Sequence, residues 1–92
     1  MLRPEISSQF KRDYSLLIRR GYDITNLDVV ITVLLRQESL EHRHRDHPLK
    51  GKWLGYRGCH VADDWVLVYK VDGDRLILML SRTGTHVDVY GW

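Results

Sequence analysis

The chain has 92 residues, 43% of them hydrophobic and 28% charged, with a formal net charge of +2. That length suits one hydrophobic core rather than two, and the composition excludes an intrinsically disordered chain. The longest mostly apolar run, Val29 to Leu35, falls well short of the roughly 20 residues of a membrane span, and the opening stretch MLRPEISSQFKRDY lacks the apolar segment of a secretory signal.

Leu2 to Ile6 is expected to form a short strand, which Pro4 confines to a sheet edge. Ser7 or Ser8 can cap the helix that follows, whose apolar face is drawn by Phe10, Tyr14, Leu17 and Ile18 at i, i+4, i+7 and i+8. Arg19 and Arg20 suit the C-terminal dipole, and Gly21 suits the position just past the last turn. A second helix is expected from Thr25, with Asp28 completing a capping box. Leu27, Val30, Ile31 and Leu34 form its apolar stripe, and Val29, Val33 and Leu35 widen it. The short link from Gly21 to Thr25 predicts an antiparallel helical hairpin.

Residues 39–51 read as a polar loop punctuated by Pro48 and Gly51. The pattern then changes to aromatic and branched runs, Trp53 to His60, Trp65 to Val71 and Arg75 to Arg82, each expected to be a strand. Asp72-Gly73 is a tight-hairpin signal, while Ala62-Asp63-Asp64 and Thr83-Gly84-Thr85 read as the neighbouring turns. The predicted fold class is α+β: an N-terminal helical hairpin packed on an antiparallel meander, one domain over residues 1–92.

Charge and histidine are concentrated between residues 42 and 60. Arg43, Arg45, Lys50, Lys52 and Arg57 stand there against one acid, Asp46, together with His42, His44, His47 and His60. Such a segment suits an anionic partner such as an RNA backbone, although a solvated loop has the same look. Cys59 is the single cysteine, so no internal disulfide can form, which favours a reducing, cytoplasmic setting.

Strands joined by tight turns alternate in direction, which brings His60, Asp64 and Arg82 to one end of the sheet, with His86 four residues beyond Arg82. Cleaving RNA by its own 2′-hydroxyl needs a base, an acid and a cation for the charge that builds on phosphorus. Histidine can serve in either proton role, and arginine presents a planar fork to phosphate oxygens. Each residue also has an ordinary reading: Asp64 as a turn cap, Arg82 in a surface pair with Asp64 or Asp88, and His60 as a packed side chain. His42-x-His44-x-x-His47, with Asp46 or Cys59, is a competing metal-ligand set, but it lacks any standard zinc spacing. Of Trp53, Tyr56, Trp65, Tyr69, Tyr90 and Trp92, most are expected in the core, with Tyr90 and Trp65 as candidates to stack on bases.

Four motifs stand in one order: Asp46-His47-Pro48-Leu49, then Gly51-Lys52-Trp53-Leu54-Gly55-Tyr56-Arg57, then His60-Val61-x-x-Asp64-Trp65, then Arg82-Thr83-Gly84-Thr85-His86. Together they resemble the YafQ branch of the RelE/ParE toxin superfamily, closely over residues 46–92 and only in pattern before that. The resemblance implies a microbial-RNase-like fold and the toxin half of a toxin–antitoxin pair. It implies a metal-independent, cofactor-free mRNA interferase that enters the ribosomal decoding site, cuts the message to leave a 2′,3′-cyclic phosphate, and is blocked by a cognate antitoxin. The functional residues it implies are His47, His60, Asp64, Arg82 and His86, with Tyr90 and, as a lesser candidate, Trp65 at the substrate. Lys50, Lys52 and Arg57 would face ribosomal RNA and message. Arg82 is expected to stabilise the phosphate and His86 to move one proton, while the other proton could fall to Asp64, His47 or His60. Asp63 stands where the family can have proline and Tyr90 where it can have phenylalanine; neither change removes a proton-transfer group. His42 and His44 are read as solvated. A reading of another class is a ParE-like toxin that acts by binding a protein such as DNA gyrase, which would have no need of the His–Asp–Arg set.

Overall fold

The computed structural model describes residues 1–91. Trp92, one of the aromatic residues considered for the core, lies outside the described residues. In chain order the chain forms β1 (Arg3–Ile6), α1 (Ser8–Arg19), α2 (Thr25–Leu35), β2 (His47–Pro48), β3 (Arg57–Ala62), β4 (Trp65–Asp72), β5 (Ile77–Thr85) and α3 (His86–Tyr90), with 3₁₀ turns at His42–His44 and Gly51–Trp53. The strands make one sheet in the order β1-β5-β4-β3-β2. β3, β4 and β5 are the expected antiparallel meander, but β1 runs parallel to β5, so the sheet is mixed rather than wholly antiparallel. No tight turn ties β1 to β5; α1, α2 and the other strands intervene, which leaves the parallel direction open to it. Pro4 sits on this edge strand, where a missing N–H interrupts no ladder.

Local chemistry sets the helix starts. The Ser7 hydroxyl accepts the Phe10 N–H at 3.0 Å and so caps α1. The capping box expected from Thr25 and Asp28 does not form. Asp23 takes that place, its Oδ1 accepting both the Thr25 N–H at 3.1 Å and the Thr25 hydroxyl at 2.6 Å. An aspartate reaches the backbone two residues on without distortion, and this geometry competes successfully with the box.

β4 is the central strand of the sheet, and both its faces are covered. Trp65, Leu67 and Tyr69 point into the cluster that contains Phe10, Leu17, Leu27 and Val30 from the helices. Val66 and Val68 pack with Val89 of α3 on the other face. This two-sided burial is why the segment Trp65 to Tyr69 is continuously apolar instead of alternating.

Several boundaries differ from expectation: β5 begins at Ile77 and not at Arg75, and Ala62 ends β3 and does not begin the turn. Residues 51–53 form a 3₁₀ turn, so β3 begins at Arg57 and not at Trp53. The loop over 39–51 contributes β2, which pairs His47 with Gly58 and Pro48 with Arg57. Thr83-Gly84-Thr85 is not a turn: β5 runs on to Thr85, which pairs with Trp65, and the chain passes directly into α3. The Thr85 hydroxyl caps α3 by accepting the Asp88 N–H at 3.1 Å. No helix among the described residues is long and apolar enough to cross a membrane.

Candidate functional site

α3 has five residues, and its side chains divide among three directions. Val89 is buried on the sheet, Asp88 turns toward α1, and His86 and Tyr90, one helical turn apart, line a cleft. Asp64, in the turn between β3 and β4, accepts the His86 backbone N–H at 3.3 Å and the His86 Nδ1–H at 2.5 Å. A carboxylate bound to Nδ1 fixes both the ring orientation and the tautomer, so Nε2 is the nitrogen suited to proton transfer.

His60 comes from β3. Its neighbour Cys59 points into the helical core, so strand alternation sends His60 to the α3 face. The His60 and His86 rings have centroids 5.2 Å apart, and the His86 and Tyr90 rings 5.9 Å apart. His47, on β2, donates from Nδ1 to the Arg45 carbonyl at 2.6 Å; a carbonyl only accepts, so Nδ1 carries the proton of the neutral ring. His47, Lys50, Lys52, His60, His86 and Tyr90 surround a cleft of about 390 Å³. Gly58 makes its floor possible: a Cβ there would lie 2.8 Å from the Tyr90 hydroxyl and 2.9 Å from Leu49 Cδ2.

The protonation states diverge. Burial, and then the charge of His86, hold His60 below the ordinary histidine value; a hydrogen bond to the Asp63 backbone opposes them, and Arg45 and His47 add to the lowering. His60 is therefore neutral at pH 7. Asp64 is held below the usual carboxylate range by its hydrogen bonds from His86, so it is an anion and has no proton to give. Burial pushes the Cys59 thiol up to about 12, which keeps it protonated and inert.

The family model for the bacterial toxin of type II toxin–antitoxin systems, YafQ, matches residues 2–91. The chain belongs to the YafQ toxin family. The mRNA interferase toxin YafQ of Escherichia coli K12 is 41% identical over 88 residues, covering 95% of this chain and 94% of that relative. The crystal structure of YafQ from E. coli BL21(DE3) shares the fold with a TM-score of 0.91 at 36% identity, over 99% of this chain and 100% of that one. The structure of the E. coli DinJ–YafQ complex gives 0.89 at 37% identity, again over 99% of this chain and 100% of that one. The likeness seen in residues 46–92 thus extends over nearly the whole chain.

In this YafQ-family toxin the cleft brings together His47, His60, His86 and Tyr90 with Lys50 and Lys52, and Asp64 sits behind His86. Three expected site residues are elsewhere. Trp65 is 3% exposed, packs edge-on against Tyr22 at 5.2 Å and donates from Nε1 to the Thr83 hydroxyl at 2.8 Å. It presents no face to a base, because the first residue of β4 points into the helical core. Arg82 shares the sheet end with His86, but its guanidinium turns to α1 and donates from Nε and Nη2 to the Asp13 carboxylate at 2.8 and 3.2 Å. It lines a separate cleft with Asp13, Arg20 and Asp88. The expected surface pair with the Asp64 or Asp88 side chain is replaced by this bond, and the Asp88 carboxylate binds Arg20 instead, at 2.8 Å. Arg57 donates to Asp46 at 3.2 Å, a bond that anchors the loop ahead of His47 together with the Tyr69 hydroxyl at 2.6 Å from the same oxygen.

His44 is not solvated. It is 6% exposed and donates from Nδ1 to the His60 carbonyl at 2.6 Å, tying the 3₁₀ turn to β3. The competing metal-ligand set is not assembled: Asp46 is occupied by Tyr69 and Arg57, Cys59 is buried, and no group of three or more His, Cys, Asp or Glu among the described residues has metal-holding geometry. Sequence reasoning missed Arg45, whose charge reaches His60, and Asp13, whose long-range partners come from β5. Arg45 was visible only as one charge among five. Nothing local to Asp13 signals a partner 69 positions away.

Proposed function

We propose that this toxin is a metal-independent, ribosome-dependent endoribonuclease that cuts mRNA in the ribosomal A site. The reading places it in the cytoplasm as a single RelE-like, microbial-RNase-like domain in which α1 and α2 form a helical hairpin, and as one half of a hetero-oligomer with a cognate antitoxin. The observation that carries it is the His60–His86 pair: two imidazoles with centroids 5.2 Å apart across one cleft, one kept neutral and the other backed by a carboxylate.

Neutral His60 takes the proton of the 2′-hydroxyl as that oxygen attacks phosphorus. His86, held by the Asp64 anion, delivers a proton to the 5′-oxygen as the P–O5′ bond breaks. The products are a 2′,3′-cyclic phosphate and a free 5′-hydroxyl, so atoms and charge balance with no further reactant. Lys50 and Lys52 supply positive charge for the phosphate, and the Tyr90 ring beside His86 offers a surface for a base. His47 lies at the cleft edge with its tautomer fixed and can orient the nucleotide.

The test uses purified ribosomes programmed with a defined message, with and without the protein. Cleavage that requires ribosomes and leaves a 2′,3′-cyclic phosphate is the expected result. Folded protein that cuts none of a range of codons would favour a toxin that acts by binding alone. Charge reversal of both Lys50 and Lys52 should weaken ribosome affinity. The slope of log affinity against log salt should become shallower by about 1 for each phosphate no longer neutralised. An unchanged affinity and slope would place the RNA-binding surface on another face.

A further inference from the structure

We propose that Arg82 is a positioning residue that acts through His86 rather than at the phosphate, and that Asp13 of α1 is its working counterpart. The inference rests on the endoribonuclease reading above.

Asp13 is 7% exposed, and its carboxylate accepts four hydrogen bonds: Arg82 Nε at 2.8 Å, Arg82 Nη2 at 3.2 Å, the Thr83 N–H at 3.1 Å and Gln9 Nε2 at 3.0 Å. Two consecutive residues of β5 are therefore held by one side chain of α1. Arg82 Nη2 also donates to the Asp88 carbonyl of α3 at 3.2 Å, and Arg20, just past the end of α1, binds the Asp88 carboxylate at 2.8 Å. Thr83 continues the tie: its hydroxyl accepts from Trp65 Nε1 at 2.8 Å and donates to the Val66 carbonyl at 2.9 Å. The result is a clamp that joins α1, the end of β5 and α3.

α3 needs such a clamp. A helix of five residues is too short to be stable by itself, and Val89 is its one buried side chain. Its first residue is His86, and a displacement of about 1 Å in a proton-transfer group can lower a rate on the order of 100-fold. The bidentate geometry uses the Nε and Nη2 edge of Arg82 on Asp13, which is how an arginine fixes direction as well as charge. Seen from the cleft, α3 carries His86 and Tyr90 on the near side and the Asp13–Arg82 pair on the far side.

The experiment compares Asp13→Asn, Arg82→Ala and the double variant in single-turnover cleavage on programmed ribosomes. Thermal melting checks folding, and NMR follows the His86 ring signals. The clamp predicts that each single variant loses roughly tenfold or more in cleavage. It also predicts that the double variant is no worse than the poorer single, and that the His86 ring signals and titration shift in both singles. Asp13→Asn cleaving at the wild-type rate while Arg82→Ala does not would overturn the proposal and return Arg82 to the phosphate. Independent, multiplying losses, or unmoved His86 signals in folded variants, would overturn it as well. Should the unsubstituted protein fail to cleave at all, the endoribonuclease reading itself falls, an outcome distinct from these.

Discussion

His86→Ala should lower ribosome-dependent cleavage by about 10²- to 10⁴-fold with a melting temperature close to that of the unsubstituted protein. The ring lines an open cleft, and its partner Asp64 is an exposed side chain, so little packing is lost. Asp64→Asn should reproduce part of the defect, because an amide cannot support the imidazolium as an anion does. The pH profile tests His60 as the base. His60 must be neutral to act as the base, and its burial and neighbours lower its pKa. Protonation switches off a base, so cleavage falls as pH drops through that depressed value, and the acid limb lies below the ordinary histidine value of 6.5. A His86→Ala protein that cleaves at the normal rate, or an acid limb above 6.5, would sink this assignment.

Trp65→Ala should destabilise the fold by about 3–5 kcal/mol, the range for deleting a large buried aromatic side chain. The substitution opens a cavity between β4 and Tyr22 and leaves the Thr83 hydroxyl without its indole donor. At roughly 4–8 °C per kcal/mol for a domain of this size, the melting temperature should fall by more than about 10 °C. Denaturant unfolding and thermal melting measure it directly. Activity then tracks the folded fraction, because Trp65 faces the helical core and not the RNA cleft. Normal stability with cleavage abolished would show instead that the indole serves the substrate.

His86 and Trp65 both fall within the motifs shared with the family, yet one lines the cleft and the other holds up the sheet. The ordered motifs say which residue types recur at which spacing. They do not say which face of a strand Trp65 occupies, nor that Arg82, on the α3 face opposite Val68, turns its guanidinium to Asp13. Arg82 does reach the sheet end, as alternating strand direction requires. The chain then enters α3 without a turn, and this helix lies between the guanidinium and the histidines.

Local and periodic properties were decided by the amino-acid sequence alone. The spacing of Phe10, Tyr14, Leu17 and the stripe from Leu27 to Leu34 marks two helices, the aromatic and branched run from Trp65 marks a strand, and Ser7 and Gly21 mark the bounds of α1. The grouping of His60, Asp64 and Arg82 toward one sheet end followed from the hairpin turns, since a tight turn reverses the chain within a few residues, whereas His86 reaches it because β5 runs straight into α3. The parallel pairing of β1, the Asp13–Arg82 bond across 69 positions and the seat of His44 under the His60 carbonyl depend on which surfaces meet once the chain has collapsed. Side-chain partners brought together by packing leave no periodic mark in either segment, so only the tertiary structure separates the residues facing the cleft from those that hold it in place.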